Sequence, residues 1–224
     1  MISHHKVTNV HLMAGQAALR NRDATKDALI QAVGTLITSQ GFDALGVNAV
    51  AREAGVDKVL IYRYFDGLSG LLAAYGNQGD YWWQVDDLIG DHLPGPSEDS
   101  LSAWLSLVFQ RHVDYLRHHL VTQVVLAWAM SERNPLTEAL EETRERRGRE
   151  LMHRILAKTG TDDRDTMRYI GPVMTLLQAA SDHLVAHGRL QRTYGGVDVA
   201  SDFGWSQIYE TVEVMLAGLL NEGG

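Results

Sequence analysis

The sequence predicts an all-α protein of about nine helices, and three observations support this prediction. Apolar residues recur at helical spacing along almost every segment of the chain. Strand-like alternation of apolar and polar residues does not persist long enough to build a sheet. The composition, 45% hydrophobic and 21% charged, is that of an ordinary globular protein. We therefore expect a small N-terminal helical domain followed by a larger helical domain.

The first helix is predicted over residues 25–40. Thr25 is its predicted N-cap, and Gly41 is the glycine expected to close it. Residues 1–22 are polar and rich in small residues, which predicts a flexible arm before the helix. The apolar positions of this helix follow an i, i+3, i+4, i+7, i+8 pattern: Leu29, Ala32, Val33, Leu36 and Ile37.

Two short helices are predicted over residues 47–54 and 58–64, and a longer fourth helix over residues 68–89. Asp57 is the predicted cap of the third helix. Residues 92–97 contain two prolines and a glycine and form the clearest break in the chain. Five more helices are predicted after this break, over residues 99–118, 122–133, 136–159, 164–188 and 197–221.

The charge of the chain is unevenly distributed. The net charge is −8, yet residues 20–75 contain six cationic and six anionic side chains. The acidic excess therefore lies in residues 76–224, which carry a charge of −9. Within this part, residues 138–154 pair Glu with Arg at i, i+4, which predicts a solvated helix face rather than a nucleic-acid contact.

Several classes of site and location are disfavoured by composition. The absence of cysteine excludes disulfides, thiolate metal sites and a cysteine nucleophile. We expect no membrane span, because no apolar run reaches the roughly 18 residues required. The N-terminus lacks the pattern of a signal peptide, which favours a cytoplasmic location. His183 and His187 have a spacing suited to a metal, but no third ligand accompanies them, so we predict no metal and no other cofactor.

Residues 47–64 have the pattern of a helix-turn-helix. Gly55 separates the two short helices and supplies the positive φ that a sharp turn requires. By spacing alone, the same pattern also fits an ordinary helical hairpin in an all-α core. Small or apolar residues occupy the positions where two crossed helices touch: Val50, Ala51, Ala54, Val56, Ile61 and Tyr64.

The N-terminal third of the chain resembles the TetR family of transcriptional regulators. The resemblance is carried by Gly-Phe-x-Ala at 41–44, Val-x-x-Val-Ala-Arg-Glu-Ala-Gly-Val at 47–56 and Ile-Tyr-Arg-Tyr-Phe at 61–65. It implies an all-α homodimer in which a three-helix domain, residues 23–67, binds double-stranded operator DNA. Residues 68–224 would then form a helical domain that dimerises and binds a small-molecule effector.

The same resemblance implies which residues face DNA. The third helix would be the recognition helix, in which Lys58 and Arg63 donate to phosphates or guanine edges and Tyr62 donates to a phosphate. Arg22 would reach the DNA backbone or minor groove, although it also fits a solvated surface arginine. The complete predicted set is Arg22, Arg52, Lys58, Val59, Leu60, Tyr62 and Arg63.

Two features of this segment depart from the family pattern. The family often has a small residue followed by Thr or Ser where this chain has Val59 and Leu60, and a lysine near the start of the fourth helix. Here that start, at Leu68, carries no cation. Val59 and Leu60 can contact thymine methyl groups or pack within the protein. We expect more apolar contact and a weaker hold on phosphates than is usual for the family.

The C-terminal part contains many aromatic, His and Met residues that can line a pocket for a lipophilic or aromatic effector. The alternative for each is an ordinary core position. Apolar stripes on the last two helices fit either a dimer interface or an intrachain core. The predicted effector contacts are Trp82, Trp104, His112, Tyr115, Trp128, Met174 and His183.

The sequence therefore favours a regulator, usually a repressor, that an effector releases from a pseudo-palindromic operator. One alternative is a helical dimer that binds a ligand or protein and has lost DNA binding. Another is an all-α enzyme, for which no catalytic motif is present. We therefore predict that the protein is not an enzyme.

Overall fold

The computed structural model describes residues 4–78, 81–96, 100–162 and 164–221, and most of them are helical. This confirms the predicted all-α fold. The short turn Phe42–Ala44 is a 3-10 helix, and the only strands among the described residues form one small hairpin. The elements in chain order are α1 (His4–Gln40), α2 (Val47–Glu53), α3 (Val59–Phe65), α4 (Leu68–Gln78), α5 (Val85–Ile89), α6 (Leu101–His118), α7 (Leu120–Ala129), α8 (Pro135–Thr159), α9 (Arg164–Gly188), β1 (Thr193–Tyr194), β2 (Val197–Asp198) and α10 (Asp202–Asn221).

The chain divides into two compact units. The first contains α1 to α4 together with Asn134–Leu136, and the second contains α5 to α7, the rest of α8, α9, the hairpin and α10. The predicted boundary after residue 67 placed α4 in the C-terminal domain. The structure groups α4 with the first unit because it packs against α1 and α3. Tyr75 of α4, for example, lies so close to Gly34 of α1 that a Cβ there would be 3.1 Å from the tyrosine hydroxyl.

The first helix begins much earlier than predicted. Residues 4–22 belong to α1, so the prediction of a flexible arm is wrong for them, and residues 1–3 lie outside the described residues. Strong helix formers such as Ala and Leu in this segment explain the extension. Thr25 is not a cap, because its hydroxyl donates to the carbonyl of Asn21 at 2.7 Å within the helix. Gly41 does close α1, with φ of 76° and an N–H that donates to Ile37 O.

The predicted fourth helix is interrupted. It is replaced by α4 and α5, with the buried residues Tyr81, Trp82 and Trp83 between them. Here side chains donate hydrogen bonds to backbone carbonyls that would accept from backbone N–H groups in a continuous helix. Arg147 donates to the carbonyls of Trp82 and Trp83 at 2.6 and 2.9 Å, and Thr122 donates to that of Tyr81 at 2.5 Å. These long-range bonds stabilise the break.

A local signal then starts α5. The side chain of Gln84 accepts from the backbone at Asp87, and Asp87 Oδ2 accepts from the N–H of Gln84 at 2.7 Å. This reciprocal pair is a capping box, which satisfies the free N–H groups at a helix start.

The last helix also begins later than predicted. Instead of starting at residue 197, α10 starts at Asp202, after a hairpin that pairs Thr193 with Asp198 and Tyr194 with Val197. Its two turn residues are glycines with φ of 56° and 87°, as a two-residue hairpin of this twist requires. A Cβ at Gly204 would overlap the carbonyl oxygen of Asp198, so the hairpin packs directly on the start of α10.

The core of the second unit is built largely by α6, α9 and α10. The helix α10 packs along α6, where the hydroxyl of Tyr209 donates to Asp114 at 2.8 Å. Burial, together with this bond, raises the pKa of Tyr209 well above its usual range. Among the described helices, none is long and apolar enough to cross a membrane. Fully buried members of this core include Leu105, Leu116, Trp205 and Leu216.

Candidate DNA-binding surface and buried polar cluster

The helix-turn-helix has a small, complete core. Val50 and Ile61 are fully buried, and Ala51 is almost so. The turn between α2 and α3 is formed by Gly55, with φ of 67°, and by the N–H of Val56, which donates to Ala51 O at 3.0 Å. These short-range features hold α3 across α2 at the position that the sequence predicts.

Asp57 sets the start of α3. Its Oδ1 accepts from the N–H of Val59 at 2.9 Å, and its carbonyl accepts from Leu60 at 3.0 Å. The predicted cap is therefore present.

The outward face of α3 carries the residues predicted to face DNA. The side chains of Val59 and Tyr62 are 61% and 58% exposed, and Lys58 and Arg63 are also exposed. Val59, Tyr62 and Arg63 share one face because they are three and four residues apart. Leu60 is half-buried. Because Val59 is mostly exposed, packing within the unit does not explain an apolar residue at this position.

Tyr64 brings cations from two helices together at the end of α3. The guanidinium of Arg22 on α1 lies 5.6 Å from the centre of its ring, and that of Arg63 lies 5.9 Å from it. Arg22 is thus a residue of α1 rather than of a flexible arm. Arg52, at the end of α2, is exposed.

The joint between α3 and α4 lies beside the ring of Tyr62. The backbone of Asp66 adopts the left-handed conformation, with φ of 59° and ψ of 31°, and Gly67 follows with a positive φ of 106°. A Cβ at Gly67 would lie 3.8 Å from the Tyr62 ring, so this ring rests beside the joint. A Cβ at Gly70 would overlap the carbonyl oxygen of Phe65, which shows how closely α4 approaches α3.

The predicted effector contacts do not form one group. Trp104 is buried, with the ammonium of Lys158 5.4 Å from its ring. Tyr115 and Trp128 are half-buried; the first stacks on His119, and the indole of the second donates to Glu132. Met174 is half-buried and His183 is exposed. The structure brings together Trp82 and His112, whose ring centres are 5.8 Å apart.

His183 lines a separate, mainly apolar pocket of about 280 Å³. Its ring stacks on that of His187, with 5.4 Å between the ring centres, and the edge of Tyr194 meets both. No group of three potential metal ligands occurs in the part of the chain that the structure describes. The other residues lining the pocket are Ala180, Leu184, Val197, Val199 and Ile208.

Trp82 and His112 belong to a buried polar cluster that also contains Trp83, Arg144 and Asp182. The indole N–H of Trp83 donates to Nδ1 of His112 at 2.9 Å. Because Nδ1 is an acceptor, the neutral ring carries its proton on Nε2. That nitrogen lies 3.6 Å from Oδ1 of Asp182, while Oδ2 of Asp182 accepts from Arg144 at 2.5 Å.

The guanidinium of Arg144 is held from several sides. It lies 5.4 Å from the centre of the Trp82 ring. With the amide of Gln178 oriented to accept, its oxygen is 3.2 Å from both Nε and Nη2 of Arg144. Near the cluster, burial raises the pKa of Tyr81 to about 12, although a hydrogen bond with Thr143 and the charge of Arg147 act in the opposite direction.

Sequence reasoning missed the charged members of this cluster. The Glu and Arg spacing of residues 138–154 predicts a solvated face, but Arg147 is only 6% exposed and Arg144 is turned toward Asp182. Asp182 is itself 3% exposed, next to the buried Ser181. A polar pair within the apolar stripe of α9 is the sequence signal that could have indicated an inward-facing site.

Comparisons with known proteins agree with this architecture. Residues 29–75 match the family described as bacterial regulatory proteins, tetR family. A TetR-family regulator from Streptomyces coelicolor is 20% identical, with a TM-score of 0.55 and coverage of 93% of this chain and 94% of that one. No curated protein sequence matches the chain.

Two further solved structures have the same fold. The fatty acid degradation regulator FadR from Bacillus halodurans is 18% identical, with a TM-score of 0.53 and coverage of 87% of this chain and 95% of that one. A TetR-like regulator from Rhodococcus sp. RHA1 is also 18% identical, with a TM-score of 0.51 and coverage of 89% and 94%.

The fold and the exposed face of α3 define an all-α helix-turn-helix protein. Residues 29–75 of its N-terminal unit match the tetR family of bacterial regulatory proteins, and the chain as a whole shares its fold with solved TetR-family regulators.

Proposed function

We infer that this protein is an effector-responsive repressor that binds a pseudo-palindromic operator as a homodimer. The observation that carries the inference is the exposed row Val59, Tyr62 and Arg63 on α3, inside the segment that matches the family model. In a helix-turn-helix protein the second helix enters the major groove, and in a dimer the two copies read half-sites ~34–36 Å apart or a multiple of that distance.

The chemistry of the exposed row suggests how α3 reads DNA. Arg63 can donate to phosphate or to guanine, and Tyr62 can donate its hydroxyl to a phosphate. Val59 offers an apolar surface suited to a thymine methyl group. Arg22 adds a cation from α1 at the Tyr64 ring, which Arg63 also approaches. Because its proposed target is operator DNA, the repressor would act in the cytoplasm.

Apolar side chains exposed on α9 and α10 support a homodimer. Leu176 is 70% exposed, and Val214 and Met215 are 72% and 56% exposed. The opposite side of α10 is already occupied, because Val212 and Leu216 are buried in the core. Each helix therefore has one face for the intrachain core and another that a second copy would cover, as burial of apolar surface favours.

A small-molecule effector would act through the second unit. A ligand that binds more tightly to the conformation unable to bind DNA shifts the population away from the operator-bound state. The polar cluster around His112 supports this role because charged and polar groups are concentrated there in an otherwise apolar interior.

DNA binding is tested by fluorescence anisotropy on the DNA upstream of the protein's own gene, at two salt concentrations. We compare the wild type with Tyr62→Phe/Arg63→Ala and with the control Arg149→Ala, which removes an exposed arginine from the second unit. We expect salt-sensitive binding that the double variant weakens and the control retains.

The absence of sequence-preferring binding at low salt, across a broad set of genomic DNA, would overturn the proposal. That result would instead favour a helical dimer that no longer binds DNA, in keeping with the neutral charge of residues 20–75.

A further inference from the structure

Three polar atoms in the interior of the second unit have no hydrogen-bond partner among the described residues. They are Nε1 of Trp82, Nε2 of His112 and Oδ1 of Asp182. The three residues are 1%, 6% and 3% exposed, so bulk water does not reach these atoms. Burying such an atom without a partner is unfavourable, and folded proteins normally satisfy these groups. Three neighbouring cases therefore point to a common bound group.

The neighbours of these atoms are already engaged elsewhere. Trp83 uses its indole N–H on Nδ1 of His112, and Arg144 uses Nη2 on Oδ2 of Asp182. The separation of 3.6 Å between His112 Nε2 and Asp182 Oδ1 exceeds that of a direct hydrogen bond. A polar atom placed beside both could bond to each of them.

The three atoms require a group that both accepts and donates. Trp82 Nε1 and, in the neutral ring, His112 Nε2 are donors, whereas Asp182 Oδ1 accepts. A carboxylate would meet the carboxylate of Asp182, and an ammonium group would meet two N–H donors beside Arg144. An ether oxygen can accept from the donors but offers Asp182 no proton. A hydroxyl group has the matching capacity, because its oxygen can accept from both donors and its proton can be donated to Asp182.

The surroundings indicate the rest of the ligand. On α6, Val108 lies one turn before His112 and is buried, and on α9, Val185 lies one turn after Asp182 and is buried. Both side chains belong to the apolar core of the second unit. An apolar setting of this kind suits a hydrocarbon skeleton rather than a sugar or nucleotide.

We propose that Trp82, His112 and Asp182 form a binding site for the hydroxyl group of an otherwise apolar small molecule. The identification of this molecule as the effector rests on the proposed function, whereas the site itself does not. Arg144 and Trp83 are positioning residues, because they hold Asp182 and His112 without using the three free atoms.

The site is tested by NMR on protein labelled with ¹⁵N at tryptophan. The probes form two matched series: cyclohexanol, methoxycyclohexane and methylcyclohexane; and phenol, anisole and toluene. Each is titrated into the wild type, and the indole signal of Trp82 is assigned from its absence in Trp82→Phe. We expect an alcohol to bind at least about tenfold more tightly than its ether and to shift the Trp82 signal, because an ether leaves Asp182 unpaired.

Variants then separate the site from non-specific apolar binding. Trp82→Phe and Asp182→Asn should each reduce the preference for alcohol over ether to less than about threefold. Trp205→Phe is the matched control, since Trp205 is equally buried but its indole already donates to Val199 O. This variant should keep the preference. Circular dichroism verifies that each variant is folded.

The absence of any preference for alcohol over ether in both series with wild-type protein would overturn the proposal, and this comparison remains decisive if a variant does not fold. A preference that persists unchanged in folded Trp82→Phe and Asp182→Asn would also overturn it. Because these titrations contain no DNA, their failure leaves the proposed DNA-binding function standing. Conversely, failure of the operator experiment leaves the hydroxyl site standing.

Discussion

The guanidinium of Arg22 on α1 lies 5.6 Å from the centre of the Tyr64 ring on α3, and Arg63 approaches the same ring at 5.9 Å. The ring thus gathers two cations from helices that are distant in sequence. Contacts of this kind are worth about 0.5–1 kcal/mol at exposed positions. Their larger consequence is that two cations of a nearly neutral unit lie together at the C-terminal end of α3.

We expect Arg22→Ala to weaken operator binding uniformly across related sequences. Removal of one phosphate contact should lower the slope of log K against log salt by about one. Anisotropy titrations at several salt concentrations measure this slope. The exposed Arg149 provides the control, because Arg149→Ala removes the same charge far from α3 in sequence and should leave the slope unchanged. An Arg22→Ala slope equal to that of wild type would exclude Arg22 as a phosphate contact.

Gly70→Ala should destabilise the first unit. The new Cβ would overlap the carbonyl oxygen of Phe65, which is backbone and moves only if α3 and α4 separate. We expect a loss of about 1–3 kcal/mol in the free energy of unfolding, measured by urea denaturation. Gly148→Ala is the matched control. Nothing lies within 4 Å of that Cβ, so the higher helix propensity of alanine should stabilise α8 by up to about 1 kcal/mol. Equal effects of the two substitutions would contradict this prediction.

Arg147→Met should destabilise the second unit. The substitution removes the donors that hold the carbonyls of Trp82 and Trp83, and both carbonyls are buried with the tryptophans. We expect a loss of about 2–4 kcal/mol in the free energy of unfolding, because these bonds involve a charged donor. Arg149→Ala, on the exposed side of α8, should change it by less than about 0.5 kcal/mol. A similarly small effect of Arg147→Met would show that the break between α4 and α5 does not depend on this side chain.

Tyr81 should make stability fall with rising pH in the alkaline range. Its pKa is raised from 10.0 to about 12 in the folded protein, so the unfolded chain loses this proton first. The contribution is fully present below pH 10 and is lost as pH rises from 10 to about 12. Tyr81→Phe should reduce the slope by up to about 1.4 kcal/mol per pH unit in that window. Urea denaturation at a series of pH values measures the slope of unfolding free energy against pH. An equal slope in wild type and Tyr81→Phe would contradict its assignment to Tyr81.

Much of the N-terminal unit follows from local sequence. Gly55 permits the turn, Asp57 caps α3, and the spacing of Val50 and Ile61 builds the core between the two helices. Each of these effects acts within a few residues, and the exposed face of α3 is then set by helical period alone. The prediction of a flexible arm is wrong for residues 4–22 because polar composition is a weak guide where Ala and Leu favour helix.

The sequence by itself therefore determined the helical class, the helix-turn-helix and the match of residues 29–75 to the tetR family. Tertiary structure alone decided the break at Tyr81–Trp83, since it depends on donors from Thr122 and Arg147, and the burial of Arg144 and Asp182. The physical reason is that the helical period depends only on residues close together in sequence. A buried polar group, in contrast, is stable only beside partners that the fold brings from distant parts of the chain.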